Sequence, residues 1–342
     1  MIFSIHTFEL SLVFKTNIWK YAELKSEAYE KSKGSHRIIK IKNRNDYSDA
    51  FADEAIASDG IRVEYHDYLW NRGGCIKLIV NPSKVLGGDD IPKLWKPTDR
   101  NIKALLHNLK ANIKRYFDAN YKLNDFKLTR VDFTVNIDVG SRENVFNYIR
   151  ILHNLGKVKG FTPKYKKSNK WIDKALSFDL QGKSRGFEFS AYDKEAQSGK
   201  KEANGILRVE IRLVNVKTKG GTTSEQIKLM SKASEEIFMK CFRQVVPRGD
   251  HYTKKQAIKF IEDNIANFVP NKRERENTLS RMQKLIELIP VKKSLWIAQK
   301  ALEYRDIDRI MTTFAELNIS PVTISKNMKL KSLKSLYFYL ED

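Results

Sequence analysis

Two stretches limit what this chain can fold into: residues 128–139 (LTRVDFTVNIDV) and 206–216 (ILRVEIRLVNV). Each alternates apolar and polar residues at the two-residue period of a strand with one face against a core. Residues 2–14 read as an opening strand. Residues 60–70 (GIRVEYHDYLW) and 74–80 (GCIKLIV), separated by a turn at 71–73, read as a β-hairpin, as do residues 176–180 and 186–192 around a turn at 181–185. Helical spacing is expected from Asp99, read as the cap, to about Phe117, with Ile102, Leu105, Leu106, Leu109 and Ile113 on one face. Two more helices are expected, one capped by Ser141 and running to about Leu155, the other over residues 222–242. Each half thus offers a hairpin, a helix and a long strand, in different order. The pattern implies an α+β fold with a pseudo-duplicated antiparallel sheet backed by helices, not a series of βαβ units.

The composition shifts near residues 246–249. From there polar helices are expected over 254–268, 272–289, 294–303 and 306–317, followed by a terminal helical pair. The reading is an α+β catalytic domain over 1–245 and a helical C-terminal domain over 246–342. The last segment (SPVTISKNMKLKSLKSLYFYLED) suits a helix-turn-helix-like module or a bundle bracing the sheet equally well.

Lys and Arg number 63 against 41 Asp and Glu, a net charge of +22 spread along the whole chain. A folded protein this basic repels itself unless a polyanion neutralises it, and nucleic acid is the commonest one. Cys75 and Cys241 belong to no CxxC pair, so neither a disulfide framework nor a zinc finger is implied, and a reducing cytoplasm is expected. The N-terminal apolar run lacks a basic lead and a small-residue cleavage site. It reads as a strand rather than a signal peptide, and no membrane association is expected.

P-loop, GxGxxG, GxSxG and HExxH motifs are absent, and no two histidines stand at i, i+2, so a metal here would be held mainly by carboxylates. Three short elements carry the candidate chemistry: Arg130-Val131-Asp132-Phe133, Ala191-Tyr192-Asp193-Lys194-Glu195 and Arg208-Val209-Glu210-Ile211. Alternation puts Arg130 with Asp132 on one face of their strand, and Arg208, Glu210 and Arg212 on one face of theirs. If the strands share a sheet, Asp132 and Glu210 can converge beside Tyr192. Mg²⁺ or Mn²⁺ held by Asp132 and Glu210 would polarise a phosphate. Lys194, Arg130 or Arg208 would stabilise a phenolate at Tyr192. Taken singly, each element also suits a cross-strand ion pair or a sheet aromatic. The loop GKVKGFTPKYKKSNKWIDK sets Lys164, Lys166, Lys167 and Lys170 among Tyr165 and Trp171, a pattern that suits single-stranded DNA and equally a solvated loop.

The order RVDF, AYDKEAQ, LRVEIRL resembles the catalytic region of rolling-circle replication initiators. Similar elements mark the replication proteins of small Gram-positive plasmids with their related relaxases, and the initiators of filamentous phages with their plasmid-borne relatives. The resemblance covers residues 128–216, and the C-terminal helices are loosely similar to those of the phage type. It implies a site-specific single-strand endonuclease with a tyrosine nucleophile, Tyr192, with carboxylates at Asp132 and Glu210 and a divalent metal. It leaves a 5′-phosphotyrosyl link and a free 3′ hydroxyl. Origin DNA, a host helicase, a DNA polymerase and a second copy of the chain would be its partners. The sequence departs from the family where an acid follows the lysine: Gln197 falls near that place, with Glu195 displaced. Tyr165 and Tyr148 are rival nucleophiles. Two other readings share the charge: a DNA-binding regulator without chemistry, and an RNA-binding protein.

Overall fold

A computed structural model describes residues 1–32, 38–40, 47–68, 73–89, 91, 93–164, 176–182, 186–216 and 220–341. In chain order it contains β1 (Ser4–Phe14), α1 (Ile18–Lys31), β2 (Ile38–Lys40), β3 (Tyr47–Asp53), β4 (Ile61–Tyr68), β5 (Gly74–Val80), α2 (Pro82–Val85), α3 (Asp99–Tyr116) and β6 (Lys127–Asp138). Then follow α4 (Arg142–Leu155), β7 (Phe161–Pro163), β8 (Ser177–Gly182), β9 (Phe187–Asp193), α5 (Lys194–Ser198), β10 (Ile206–Val214), α6 (Thr223–Lys232) and α7 (Ser234–Val245). The chain closes with β11 (His251–Tyr252), α8 (Lys254–Asn264), α9 (Lys272–Lys292), α10 (Leu295–Leu302), α11 (Ile307–Glu316), β12 (Ser332–Leu333) and α12 (Leu336–Leu340). No helix among the described residues is long and apolar enough to cross a membrane.

The main sheet has the strand order β2-β3-β4-β5-β1-β6-β10-β9-β8-β7. The chain divides into two compact units: Ile2–Thr134 with Arg212–Ile237, and Val135–Ile211 with Phe238–Asp342. Residue 246, where a domain boundary is expected from composition, falls inside the second unit.

The pseudo-duplication holds in topology. A strand (β1) leads through α1 into the meander β2-β3-β4-β5, whose last strand returns beside β1. A second strand (β6) leads through α4 into β7-β8-β9-β10, whose last strand returns beside β6. The order of elements is therefore the same in both repeats, not different as the local pattern suggests.

In the first unit β1 pairs antiparallel with β5 and β6, setting Glu9 opposite Arg130 and Thr7 opposite Asp132. The expected hairpin is β4–β5, with Glu64 opposite Lys77. Its turn ends at Gly73, whose φ of +90° suits glycine; a Cβ there would lie 1.9 Å from the Phe14 carbonyl oxygen. Phe8, Leu10, Val63, Leu78, Val131 and Phe133 fill the core face, and Leu105, Leu109 and Ile113 of α3 are buried with them in the first unit. The α3 cap is Thr98, whose hydroxyl accepts from Asn101 N, so Asp99 is the first helical residue rather than the cap.

In the second unit β8 and β9 form the other expected hairpin, and α4 packs on both strands. Ser141 caps α4 as expected, accepting from Asn144 N. Phe178, Phe189, Leu207, Val209, Phe238 and Phe242 form its core. The expected helix over 222–242 is two helices, ending and restarting around Ala233. The terminal segment holds a 3-10 turn at Lys326–Met328 and one short α-helix rather than two α-helices. Leu333 of β12 pairs with His251 of β11 before the short α12, a partner that no local pattern reveals. Both cysteines are buried, and burial pushes each thiol up to about 11.

Candidate active site on the polar face of the sheet

Alternation does more here than bury a core. In β8, β9 and β10 the residues between Phe178, Phe189, Leu207, Val209 and Ile211 are Asp179, Glu188, Ser190, Tyr192, Arg208 and Glu210. One face of each strand is therefore apolar, while the other carries the titratable groups.

On that face of the second unit the Tyr192 hydroxyl donates to Glu210 Oε1 at 2.6 Å. Tyr192 is half-buried. Burial and then the Glu210 charge push its phenol well above the ordinary range, while the Arg208 guanidinium pulls the other way. Arg208 is fully buried and its Nε donates to Asn136 Oδ1 at 2.7 Å, which fixes the guanidinium in one orientation. Next to this group, Asp179 accepts from Ser177 (2.9 Å) and Ser190 (2.6 Å), and Ser177 stands opposite Tyr192 in the β8–β9 register. A phenol hydrogen-bonded to a carboxylate, beside a guanidinium, can give up its proton and act as a nucleophile toward an electrophilic phosphorus.

The neighbouring residues have partners of their own. Asp193 is buried, accepts from Ala196 N as the cap of α5, and pairs with Arg142 at 2.9 Å. Lys194 is buried, and its ammonium donates to Gln197 Oε1 at 2.8 Å. Tyr148 is 1% exposed, donates to the Lys334 carbonyl at 2.9 Å and has its phenol pushed up by burial. That setting removes it as a rival nucleophile. Tyr165 lies outside the described residues, as do Lys166, Lys167, Lys170 and Trp171. Lys164 is described, and pairs with Glu188 at 2.7 Å.

The first unit carries a cluster of its own around Asp132. Asp132 is 2% exposed, and Arg212 grips it bidentately, Nε to Oδ1 at 2.8 Å and Nη2 to Oδ2 at 2.9 Å. Arg130 Nε adds an ion pair at 3.2 Å, and its Nη1 lies 3.6 Å from Glu9. Glu9 also takes Lys77 (3.2 Å) and the Thr129 hydroxyl (3.0 Å). Burial alone would raise the Glu9 carboxyl, but Lys77 and Arg130 outweigh it and hold it below the usual range.

This arrangement does not fit a divalent cation at Asp132, because guanidiniums already occupy both carboxylate oxygens. Among the described residues no three His, Cys, Asp or Glu side chains converge as a metal-holding group. Arg130, read from spacing as a phosphate or phenolate ligand, is placed in the Asp132–Glu9 network instead. Glu9, Lys77 and Arg212 went unassigned in the sequence reading. The signal was a lone ionisable residue inside each of two apolar strands, Glu9 in FELSLVF and Lys77 in CIKLIV.

A basic α+β protein with a tyrosine–carboxylate–arginine group on its sheet is the class that this fold and site define. The family model Phage_CRI, which describes the N-terminal part of a phage replication-associated protein, matches residues 8–219, more than half of the sequence, and the chain belongs to that family. The resemblance to rolling-circle initiators carried by RVDF, AYDKEAQ and LRVEIRL is borne out. A solved structure, the rolling-circle replication initiator protein from Geobacillus stearothermophilus, is similar over 71% of this chain and 85% of that one, at 15% identity and a TM-score of 0.36. That likeness is too distant to carry an argument. No curated protein matches the sequence.

Proposed function

We propose that this chain starts rolling-circle replication by nicking one strand of origin DNA through Tyr192. The observation that carries the reading is the 2.6 Å hydrogen bond from the Tyr192 hydroxyl to Glu210. A phenol titrating near or above ~10 is a poor nucleophile at neutral pH without a base, and a carboxylate at hydrogen-bond distance supplies one. In the proposed step the phenolic proton passes to Glu210 as the Tyr192 oxygen bonds to phosphorus and the bond from phosphorus to O3′ breaks. The departing O3′ takes up a proton, directly from Glu210 or through water. The products are a 5′-phosphotyrosyl link and a 3′ hydroxyl that a polymerase can extend. Arg208, held by Asn136, steadies negative charge on the phenolate and the phosphoryl oxygens. Asp132 and Arg130 belong to the ion-pair network of the first unit. The basic segment of Lys164, Tyr165, Lys166, Lys167, Lys170 and Trp171 would track the single strand. Host helicase and polymerase would join at the nicked origin in the cytoplasm, with a second copy of the chain.

The test is cleavage of supercoiled plasmid carrying the protein's own locus, with Mg²⁺ or Mn²⁺ present. Nicked circles with protein covalently attached are expected, absent in Tyr192→Phe and slowed by about 100-fold or more in Glu210→Gln. Nicking that survives Tyr192→Phe would move the nucleophile, with Tyr165 next in line. Tight DNA binding with no adduct under any condition would leave a non-catalytic DNA-binding protein.

A further inference from the structure

Seven cation–ring contacts among the described residues divide into two kinds. Lys25, Arg142, Arg248, Arg281 and Lys334 each lie over an aromatic ring and each also pairs with a carboxylate: Asp67, Asp193, Glu341, Asp306 and Asp250. Trp296 differs. Lys157 Nζ lies 5.1 Å and Lys300 Nζ 4.9 Å from its ring centroid, and among the described residues neither ammonium has a carboxylate partner. The two charges therefore stand within about 10 Å of one another, near the screening length of physiological salt.

The cluster is built rather than incidental. Ser294 caps α10 by accepting from Ile297 N, and its hydroxyl donates to the Lys157 carbonyl at 2.6 Å. Gly156 ends α4 at φ +56°, so close to the next segment that a Cβ would lie 2.1 Å from the Lys293 carbonyl oxygen. The backbone bearing Lys157 is thus fixed against the start of the helix bearing Trp296 and Lys300. Exposed Lys159, Lys292 and Lys293 follow in the same two segments, also without carboxylate partners among the described residues. A half-buried indole under two uncompensated ammonium groups leaves their N–H donors free for an anion.

We propose that Lys157, Trp296 and Lys300 form a contact for the phosphodiester backbone of DNA, outside the Tyr192 group. The proposal deepens the DNA-nicking reading and rests on it for the polyanion's identity. Two ammonium groups within about 10 Å of one another can contact neighbouring phosphates of one strand, and the contact carries no base specificity. Lys157 stands at the start of the basic loop, so the cluster and the loop would serve one strand leaving the nick.

The test measures binding of the full chain to a fluorescent single-stranded oligonucleotide over a range of salt. Each phosphate contact contributes about 0.7 to the slope of log K against log[salt], so Lys157→Gln with Lys300→Gln should flatten it by about 1.4. At about 0.15 M salt that corresponds to roughly tenfold weaker binding. The double arginine variant at the same positions should keep the wild-type slope. Lys232→Gln with Lys254→Gln, which removes equal charge from lysines paired with Asp99 and Glu287, should leave it nearly unchanged. Circular dichroism and melting of each variant establish that it is folded. An equal flattening in both glutamine pairs, or none in the Lys157/Lys300 pair, overturns the inference. Covalent adduct formation at saturating protein, run on the same variants, keeps the two ideas apart. Loss of the slope difference with adduct intact refutes only the contact, and absence of adduct in the wild type with the slope difference present refutes only the nicking.

Discussion

Asp132→Asn separates two roles for a deeply enclosed carboxylate of the first unit. As an ion-pair partner, Asp132 holds Arg212 through two short hydrogen bonds and stands 3.2 Å from Arg130 Nε in an ion pair. A unit charge pair at about 4 Å and an effective dielectric of about 20 gains about 4 kcal/mol. The Arg212 side chain is 34% exposed, so water screens its pair and roughly half of that gain is kept; Arg130, 15% exposed, keeps more. Against this gross gain stands the cost of burying the carboxylate, several kcal/mol, which asparagine does not incur. Asparagine retains one neutral hydrogen bond but leaves two guanidiniums partly uncompensated. The net loss expected is about 3 kcal/mol, or a fall in Tm of roughly 5–10 °C for a unit of this size. Thermal and urea unfolding of Asp132→Asn, Arg212→Gln and the double variant measure it, with a coupling above about 1 kcal/mol expected. A loss below about 0.5 kcal/mol, or simple additivity, refutes the ion-pair account. Titration with Mn²⁺ completes the test: a metal-binding role for Asp132 would show as weakened Mn²⁺ affinity at unchanged stability.

Two further outcomes concern the second unit. Gly156→Ala should cost about 2 kcal/mol or more, combining a positive φ with the contact at Lys293. Gly140→Ala, at φ +86° with nothing within 4 Å, should cost only the backbone part of about 1 kcal/mol, and equal losses in melting experiments would count against the close approach. His251 is buried, its Nδ1–H donates to the Val322 carbonyl, and burial lowers its pKa. It stays neutral when folded and takes a proton on unfolding, so its contribution is complete above about pH 6.5 and is lost as pH falls from there through the lowered folded value. Denaturation of wild type and His251→Gln at several pH values between 7.5 and 5 should show a steeper acid loss in the wild type; parallel curves would refute it.

Legibility followed the strength of local pattern. The strands β4, β5, β6, β8, β9 and β10 alternate cleanly, and α3 and α4 have caps and apolar stripes, so both hairpins and most helices were readable within a few residues. By contrast α1 buries only Tyr21, Leu24 and Ala28 of its 14 residues, and β3 (YSDAFAD) holds no β-branched residue, so residues 15–59 gave no element. At the site, the facing of Glu210 and Arg208 followed from strand period, and the pairing of Tyr192 with Glu210 needed only that their strands share a sheet. The guanidinium grip on Asp132 was hidden, because Arg212, 80 residues away, could equally have faced solvent.

By itself the sequence determined the secondary-structure period, the polar and apolar faces of each strand, the net charge of +22 and the order of the three motifs, since all of these are local or additive. Partnership was decided only by tertiary structure. Sheet order brings Arg212 to Asp132 and Lys77 to Glu9, β12 reaches back to β11, and α10 meets the end of α4 so that two lysines share Trp296. Each of these joins residues far apart in the chain, and which distant groups meet is set by how the whole core packs.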